Sequence, residues 1–514
     1  MTGKTQKADI SDWVRQEMAG VDCGDVRLNM RLGKLISALA AVPGASIPSA
    51  CDGAHADIAA AYRFFDNEAL SPQCLLAPHV ERTRHRTAQH DTVLLVQDTT
   101  EVDMSQPQRR IHGAGPLDDS PRQGVLLHLM HAFTLQGGSL GSVWHRVLVR
   151  EPRGAGTKRK SRSQRQSMPI EQKESWRWIQ GAEAARELAV QQPGTRHICI
   201  ADSEADIYEY LTSHVTQTGG QAGTEHASPQ PGSNLHCIVR ACQDRALLPD
   251  KKKKPESVVE PGVQTLWEDC RKSPARWRKE LHVRGRNAKL ACDKRSRRQP
   301  REDRKIQVEV RAVEQLSLRA PQRSGGRLPS ISINAVLVSE MNPPPGDTAV
   351  EWLLLTTLPV RTQAQMAEVV EAYSQRFSIE VFFRTLKSGC GIEERRFHDA
   401  RRHLNHIALA LVIAWRVCSL SHLGREAPQT DASEHFSPEE WQSAWAAIKR
   451  EQPPATCAPT MGEMMKLVGK LGGWIERGGK SASPPGVQTL WKGLQRLHDL
   501  SLSWSLLSTL HTCV

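Results

Sequence analysis

A mixed α/β fold is predicted by three observations. Two apolar runs, residues 92–96 (TVLLV) and 197–201 (HICIA), read as strands buried on both faces. Helical periodicity lies between and after them, around residues 176–190 and again from Met366. Alternating segments such as residues 306–310 (IQVEV) read as strands with one solvated face. At 514 residues the chain is long enough for roughly three or four folding units of ~100–200 residues each.

The elements follow in order. Leu28, Leu32, Leu35, Ile36 and Leu39 recur at helical spacing, a second helical segment covers residues 51–65, and Ser71-Pro72 starts a third. These small helices carry Arg27, Arg31, Lys34 and Arg63; a DNA-binding module and a helical cap on a larger domain both fit that pattern. After the strand at 92–96, residues 125–135 and 140–149 flank Gly137-Gly138, a hairpin signal. A basic, Ser-rich loop at 158–163, the helix at 176–190 and the strand at 197–201 come next. Residues 235–240 read as one more strand, 306–340 as alternating strands, and 351–356 as another. Beyond about residue 416 the chain reads as helical with Pro/Ser-rich breaks.

Composition narrows the function classes. Hydrophobic residues are 39% of the chain and charged residues 24%, so the chain is expected to fold. The longest apolar run, residues 407–415, is shorter than the ~20 residues a membrane span needs. With no apolar segment near Met1 either, a cytoplasmic protein is expected. The 12 cysteines are scattered singly with no C-x-x-C pair, which argues against a zinc ribbon or a disulfide framework. His403 and His406 read as a packed or solvated helix face. The net charge is +12, and residues 240–311 hold 22 Lys and Arg against 11 Asp and Glu, which places +11 in one stretch. Its densest parts are residues 251–254 and 294–298. A phosphate backbone is the partner such a patch suits; a charge-extended linker is the alternative.

The minority sign carries the chemistry. Asp98 follows the first buried strand and Asp202 the second (ADSEAD). A carboxylate at the end of a buried strand is costly unless partnered. Two on neighbouring strands suit a hard divalent cation, Mg²⁺ or Mn²⁺. Residues 372–387 read as one helix on which Tyr373, Arg376, Glu380, Arg384 and Lys387 share a stripe, with Ile379, Phe382, Phe383 and Leu386 adjoining. Exposed i,i+4 ion pairs and a metal ligand beside phosphate-gripping cations both fit that stripe.

Tyr373, Arg376, Glu380 and Lys387 also have the spacing of the Y-R-E-K signature of the insertion-sequence-four family of DDE transposases. The chain resembles that family over nearly its whole length, closest to the Tn-five-type enzymes. QDTT around Asp98, DSEADIYEYL from Asp202, GDVR and AAYRFF near the N-terminus and EWLLLT at residues 351–356 resemble the family's other motifs. The resemblance implies a ribonuclease H-like catalytic core in two parts, residues 86–239 and 351–415. A basic, β-rich insertion domain (240–350) would interrupt it, with a helical DNA-binding domain (1–85) before and a helical dimerisation domain (416–514) after. It implies that Asp98, Asp202 and Glu380 hold two Mg²⁺ or Mn²⁺ ions and catalyse cut-and-paste transposition by strand cleavage, hairpin formation and strand transfer.

It further implies DNA contacts at Tyr373, Arg376, Lys387, Arg384, Arg240, Arg27, Arg31 and Arg63, and Trp352 stacking on a flipped base. The implied partners are transposon-end and target DNA and a second copy of the chain, with no membrane. Phe377, Ser203 and Val381 depart from the family's usual residues without removing a ligand. A transposase-derived DNA-binding protein without chemistry, and a ribonuclease H-like cellular nuclease, are the alternatives.

Overall fold

The computed structural model describes residues 10–106, 110–118, 121–152, 161, 164, 167–215, 226–227, 234–248, 264–283, 302–323, 326–347, 349–454, 457–476 and 484–511. The basic runs expected at 251–254 and 294–298, and all of 158–163 but Ser161, lie outside these residues. The described chain divides into two compact units: a sheet unit of residues 91–98 and 156–376, and a helical unit of residues 1–90, 99–155 and 377–514.

In the sheet unit seven strands lie in the order 92–98, Arg196–Ala201, Leu235–Arg240, Glu351–Thr356, Ser330–Glu340, Arg304–Leu318 and Ala275–Val283. The first three are mutually parallel and the rest antiparallel. Their composition explains the split. The parallel strands are apolar on both faces, with Val93, Leu94, Leu95, Val96, Ile198, Cys199 and Ile200 all buried. In contrast, Ala275–Val283 alternates Arg276, Arg278 and Glu280 outward, as an antiparallel edge strand does. Three strands from the 240–350 stretch thus extend the same sheet that carries Asp98 and Asp202.

The helix Trp176–Gln191 packs in this unit through Trp178, Ile179 and Ala182, in one core with Tyr210, Leu211, Ile333, Leu353 and Leu355. Gly181 sets the closeness of that packing: a Cβ there would stand 2.3 Å from the Gln97 side-chain oxygen.

In the helical unit, Val26–Ala41 buries Leu32, Leu35, Ile36 and Leu39, with Asp25 capping its N-terminus by accepting from the Arg27 amide. His55–Asp66 and Pro72–Thr87 follow, then the hairpin of Gln123–Phe133 and Ser139–Leu148, turned through Gly137 at φ 84°. The centre is the 27-residue helix Ala400–Glu426. Among the described residues it alone is long and apolar enough to cross a membrane, and 72% of its apolar window is buried inside the protein. His403 and His406 belong to that packing: His403 Nε2 lies 2.6 Å from the Ile392 carbonyl, and His406 stands against Phe65 and Phe397. Pro438–Lys449, Met461–Leu471 and Val487–His511 form a further helical cluster.

One expectation fails. Residues 372–387 are not one helix. The helix Gln363–Ser374 ends at Gln375, and a new one, Phe377–Arg384, begins two residues later and runs into a π-turn at Thr385–Gly389. The Ser374 hydroxyl bonds back to the Val370 carbonyl, and Thr385 Oγ1 does the same to Val381. Such back-bonds compete with the helical ladder. Tyr373 lies in the first helix, Arg376 in the turn after it, Glu380 and Arg384 in the second helix and Lys387 in the π-turn, so the five do not share one helix.

Candidate active site

The register of the three parallel strands builds the site. Val96 pairs with Ile200, and Ile200 with Ile238. Two residues further on stand Asp98, Asp202 and Arg240, in one row where the parallel pairing stops: Asp202 just past its strand and Arg240 at the end of its own, whereas Asp98 does not follow its strand as expected but lies within it, since that strand runs Thr92–Asp103. Adjacent strands lie ~4.8 Å apart, and residues two apart share a face. Asp98 and Asp202 are thereby placed on neighbouring strands. The carboxyl ends of parallel strands are also where open α/β sheets present their ligand sites.

Each carboxylate has a defined local partner. Asp98, 17% exposed at its side chain, accepts from Arg376 Nη1 at 3.1 Å. Asp202 has extended backbone and caps the short turn Ser203–Ala205 by accepting from the Glu204 amide at 2.8 Å. Burial, and then the Asp202 charge, push the Glu204 carboxyl above its ordinary value against the pull of Arg177, which donates to it at 2.9 Å.

Tyr373 closes the group. It is buried, and its ring meets Trp352 edge-on at 5.5 Å between centroids. Burial pushes its phenol above the usual value; Arg376 and Arg240 nearby oppose the rise and Asp202 adds to it. Arg240 in turn donates to the Glu351 carbonyl at 3.2 Å. The sheet unit therefore brings together Asp98, Asp202, Arg240, Trp352, Tyr373 and Arg376.

The remaining expected residues are in the helical unit. Glu380 lies half-buried in the first turn of Phe377–Arg384, whose buried side carries Ile379, Phe382 and Phe383. Arg384 is exposed. Lys387, in the π-turn, pairs with Glu393 at 3.1 Å, and Glu393 also accepts from the Asp103 amide at 3.0 Å. Arg27 and Arg63 are exposed on their helices, whereas Arg31 pairs with Asp57 at 2.9 Å.

Sequence reasoning passed over Asp206. It is 1% exposed and accepts from the amides of Cys242 and Gln243 at 2.7 and 2.8 Å, and it pairs with Arg245 at 2.8 Å. It pins the segment that leaves Arg240. The one available signal was a further carboxylate in ADSEAD, four residues after Asp202 and two after Glu204.

Hard carboxylate oxygens in a row fit Mg²⁺ or Mn²⁺ and would suit few soft metals. Among the described residues, no three His, Cys, Asp or Glu side chains are gathered into a ready-made metal group. Asp98 and Asp202 are the two carboxylates of the row, and Glu380 is the next carboxylate along the chain from Arg376.

Three family models match in chain order: Transposase DNA-binding over residues 10–70, Transposase DDE domain over 220–416, and Transposase Tn5 dimerisation domain over 412–501. The chain thus carries, in order, the DNA-binding, DDE and dimerisation domains of a DDE transposase. It is closely related to the Tn5 type. The DDE match begins after Asp202 and includes Trp352, Tyr373, Arg376 and Glu380. Among solved structures, the piggyBac transposase synaptic complex with hairpin DNA resembles it at 10% identity and a TM-score of 0.31, over 74% of this chain. This chain spans 58% of that chain's length, a likeness too slight to bear on the site.

Proposed function

We propose that the protein catalyses cut-and-paste transposition of an insertion sequence through a ribonuclease H-like core, with Asp98, Asp202 and Glu380 as its catalytic carboxylates. The observation that carries this reading is the row of Asp98, Asp202 and Arg240 where the pairing of three parallel strands stops, with Arg376 on Asp98. Two Mg²⁺ or Mn²⁺ ions held by the three carboxylates would lower the pKa of a water and neutralise charge on the scissile phosphate.

The other residues bind and orient. Arg376 and Arg240 present planar guanidinium forks suited to phosphate oxygens. Tyr373 and Lys387 add a hydroxyl and a cation for the DNA backbone near the cleaved end, with Arg384 beside them in sequence. Trp352, edge-on to Tyr373, offers an aromatic face for a base flipped out of the duplex, worth ~1–3 kcal/mol per stacked base. The reaction order is a nick at the element end, attack by the freed 3′-OH to give a hairpin, hairpin opening and strand transfer into target DNA.

End recognition falls to the N-terminal helices with Arg27, Arg31 and Arg63, supported by the match to a transposase DNA-binding family. Pairing of two copies falls to the C-terminal helices, where Leu502, Leu506 and Leu507 are exposed on one long helix. The basic insertion would clamp end DNA, and the protein would act in the cytoplasm, on the nucleoid when bound.

The test is nicking of end-containing DNA. Wild type should cut only with Mg²⁺ or Mn²⁺. Asp98→Ala, Asp202→Ala and Glu380→Ala should each lose about a thousandfold or more in rate, the equivalent of roughly 4 kcal/mol, while still shifting end DNA in a gel. Full cleavage by any one of them sinks the assignment. Trp352→Ala should slow hairpin formation at least tenfold more than the first nick; equal slowing of both steps removes the stacking role.

A further inference from the structure

The loop that precedes the helix Val26–Ala41 brings two thiols together. Cys23 Sγ and Cys74 Sγ lie 3.9 Å apart, although 51 residues separate them in the chain. Cys74 stands in the first turn of Pro72–Thr87, its amide bonded to the capping Ser71 hydroxyl at 3.2 Å, and its thiol donates to the Asp22 carbonyl at 3.2 Å. Cys23 is held from the other side, its amide donating to Asn29 Oδ1 at 2.8 Å. Gly24 follows at φ 78°, the left-handed region that favours glycine, its amide donating to Asp22 Oδ1 at 2.8 Å. A disulfide needs the sulfurs at ~2.05 Å, an approach of roughly 2 Å from where they are.

We propose that Cys23 and Cys74 form a reversible redox modification site, oxidised to an intramolecular disulfide by low-molecular-weight disulfides. The Cys74 sulfur, the more accessible of the two, attacks one sulfur of the small disulfide. The S–S bond of that molecule breaks, one thiolate leaves, and a mixed disulfide remains on Cys74. The Cys23 sulfur then attacks the Cys74 sulfur, the second small thiolate leaves, and the two protein thiol protons go to the two departing thiolates. The protein loses two electrons and the small disulfide gains them.

Before oxidation Cys23 is quiet. Burial first, and the neighbouring Cys74 second, push its thiol up to about 12. The pair therefore rests as a dithiol in a reducing compartment, the setting in which reversible disulfides act as sensors and not as a framework. Once closed, the bond encloses the helices Val26–Ala41 and His55–Asp66 in one covalent loop and fixes the entry to the helix that carries Arg27.

Peptide mapping of the full-length protein after treatment with oxidised glutathione tests this. The expected product joins the Cys23 peptide to the Cys74 peptide within one chain, carries no glutathione, and returns to free thiols with dithiothreitol. Cys23→Ser should instead trap glutathione on Cys74, and Cys74→Ser should leave Cys23 unmodified. Wild type that retains glutathione on Cys74 with Cys23 free, that links Cys74 between chains, or that leaves both thiols alkylatable overturns the proposal.

Discussion

Glu17 and Asp98 each face an arginine, one in each unit, and they differ in how deeply they are enclosed. Glu17, in the helical unit, is 4% exposed. Arg86 grips both its oxygens, at 2.8 and 3.0 Å, and His79 Nδ1 lies 2.5 Å from Oε1. The Ser142 amide donates to His79 Nε2 at 3.1 Å, so the imidazole is neutral with its proton on Nδ1, donating to Glu17. Arg86 is itself held by the Leu140 carbonyl and lies over Trp415 at 4.1 Å. Asp98, in the sheet unit, lies within the strand Thr92–Asp103, its side chain 17% exposed, with the Arg376 guanidinium on one oxygen. A charge enclosed on all sides maintains the fold. Under the proposed function, Asp98 is instead placed to meet a ligand.

That contrast can be broken in several ways. The largest effect expected is the loss of cleavage in Asp98→Ala, with thermal unfolding close to wild type. Glu17→Ala should do the reverse: roughly 3–5 kcal/mol of stability lost, because the partly buried Arg86 and the buried His79 lose their carboxylate, with cleavage by the remaining folded protein unchanged. Urea unfolding and nicking assays on the same preparations decide it; destabilisation by Asp98→Ala as large as that by Glu17→Ala would erase the distinction.

Acid should act on the Glu17 network next. Burial alone would raise the Glu17 carboxyl, but His79 and Arg86 outweigh it and hold it at about 2, below the ordinary 4.5. A carboxyl lowered on folding contributes stability that is complete above about pH 5 and is lost as the pH falls toward 2, here roughly 3 kcal/mol. Burial holds His79 below 6.5, opposed by Glu17, so its own contribution is likewise lost as the pH falls below 6.5. Stability measured from pH 7 down to 3.5 should therefore decline less steeply in Glu17→Gln than in wild type. Parallel declines would contradict the assignment.

The smallest effects belong to the exposed cations of the N-terminal helices. Arg27→Ala and Arg63→Ala should each lower the salt-dependence slope of end-DNA binding by about 1. Arg31, already paired with Asp57, should lower it less.

What could be read in the sequence was what lies close together along the chain. The runs at 92–96 and 197–201 declared buried strands, and the aspartates that follow them stood out because a carboxylate rarely ends such a run. The break at Gln375 was not legible, since Ser374 and Thr385 are ordinary helix residues until their hydroxyls turn back on the ladder. Nor was the Glu17 network, whose members are 62 and 69 residues apart. Asp206 was visible as a letter, but its partners, the amides of Cys242 and Gln243, lie 36 and 37 residues on, and nothing local announces them.

The buried helix Ala400–Glu426 has a consequence for how the protein is made. It packs against Val26–Ala41, His55–Asp66, Pro72–Thr87 and Ser139–Leu148, all synthesised long before it. At roughly 5–20 residues per second, the early helices wait on the order of twenty seconds to a minute on the ribosome before the surface they need emerges. The part of the chain that leaves the ribosome first is among the last to be completed.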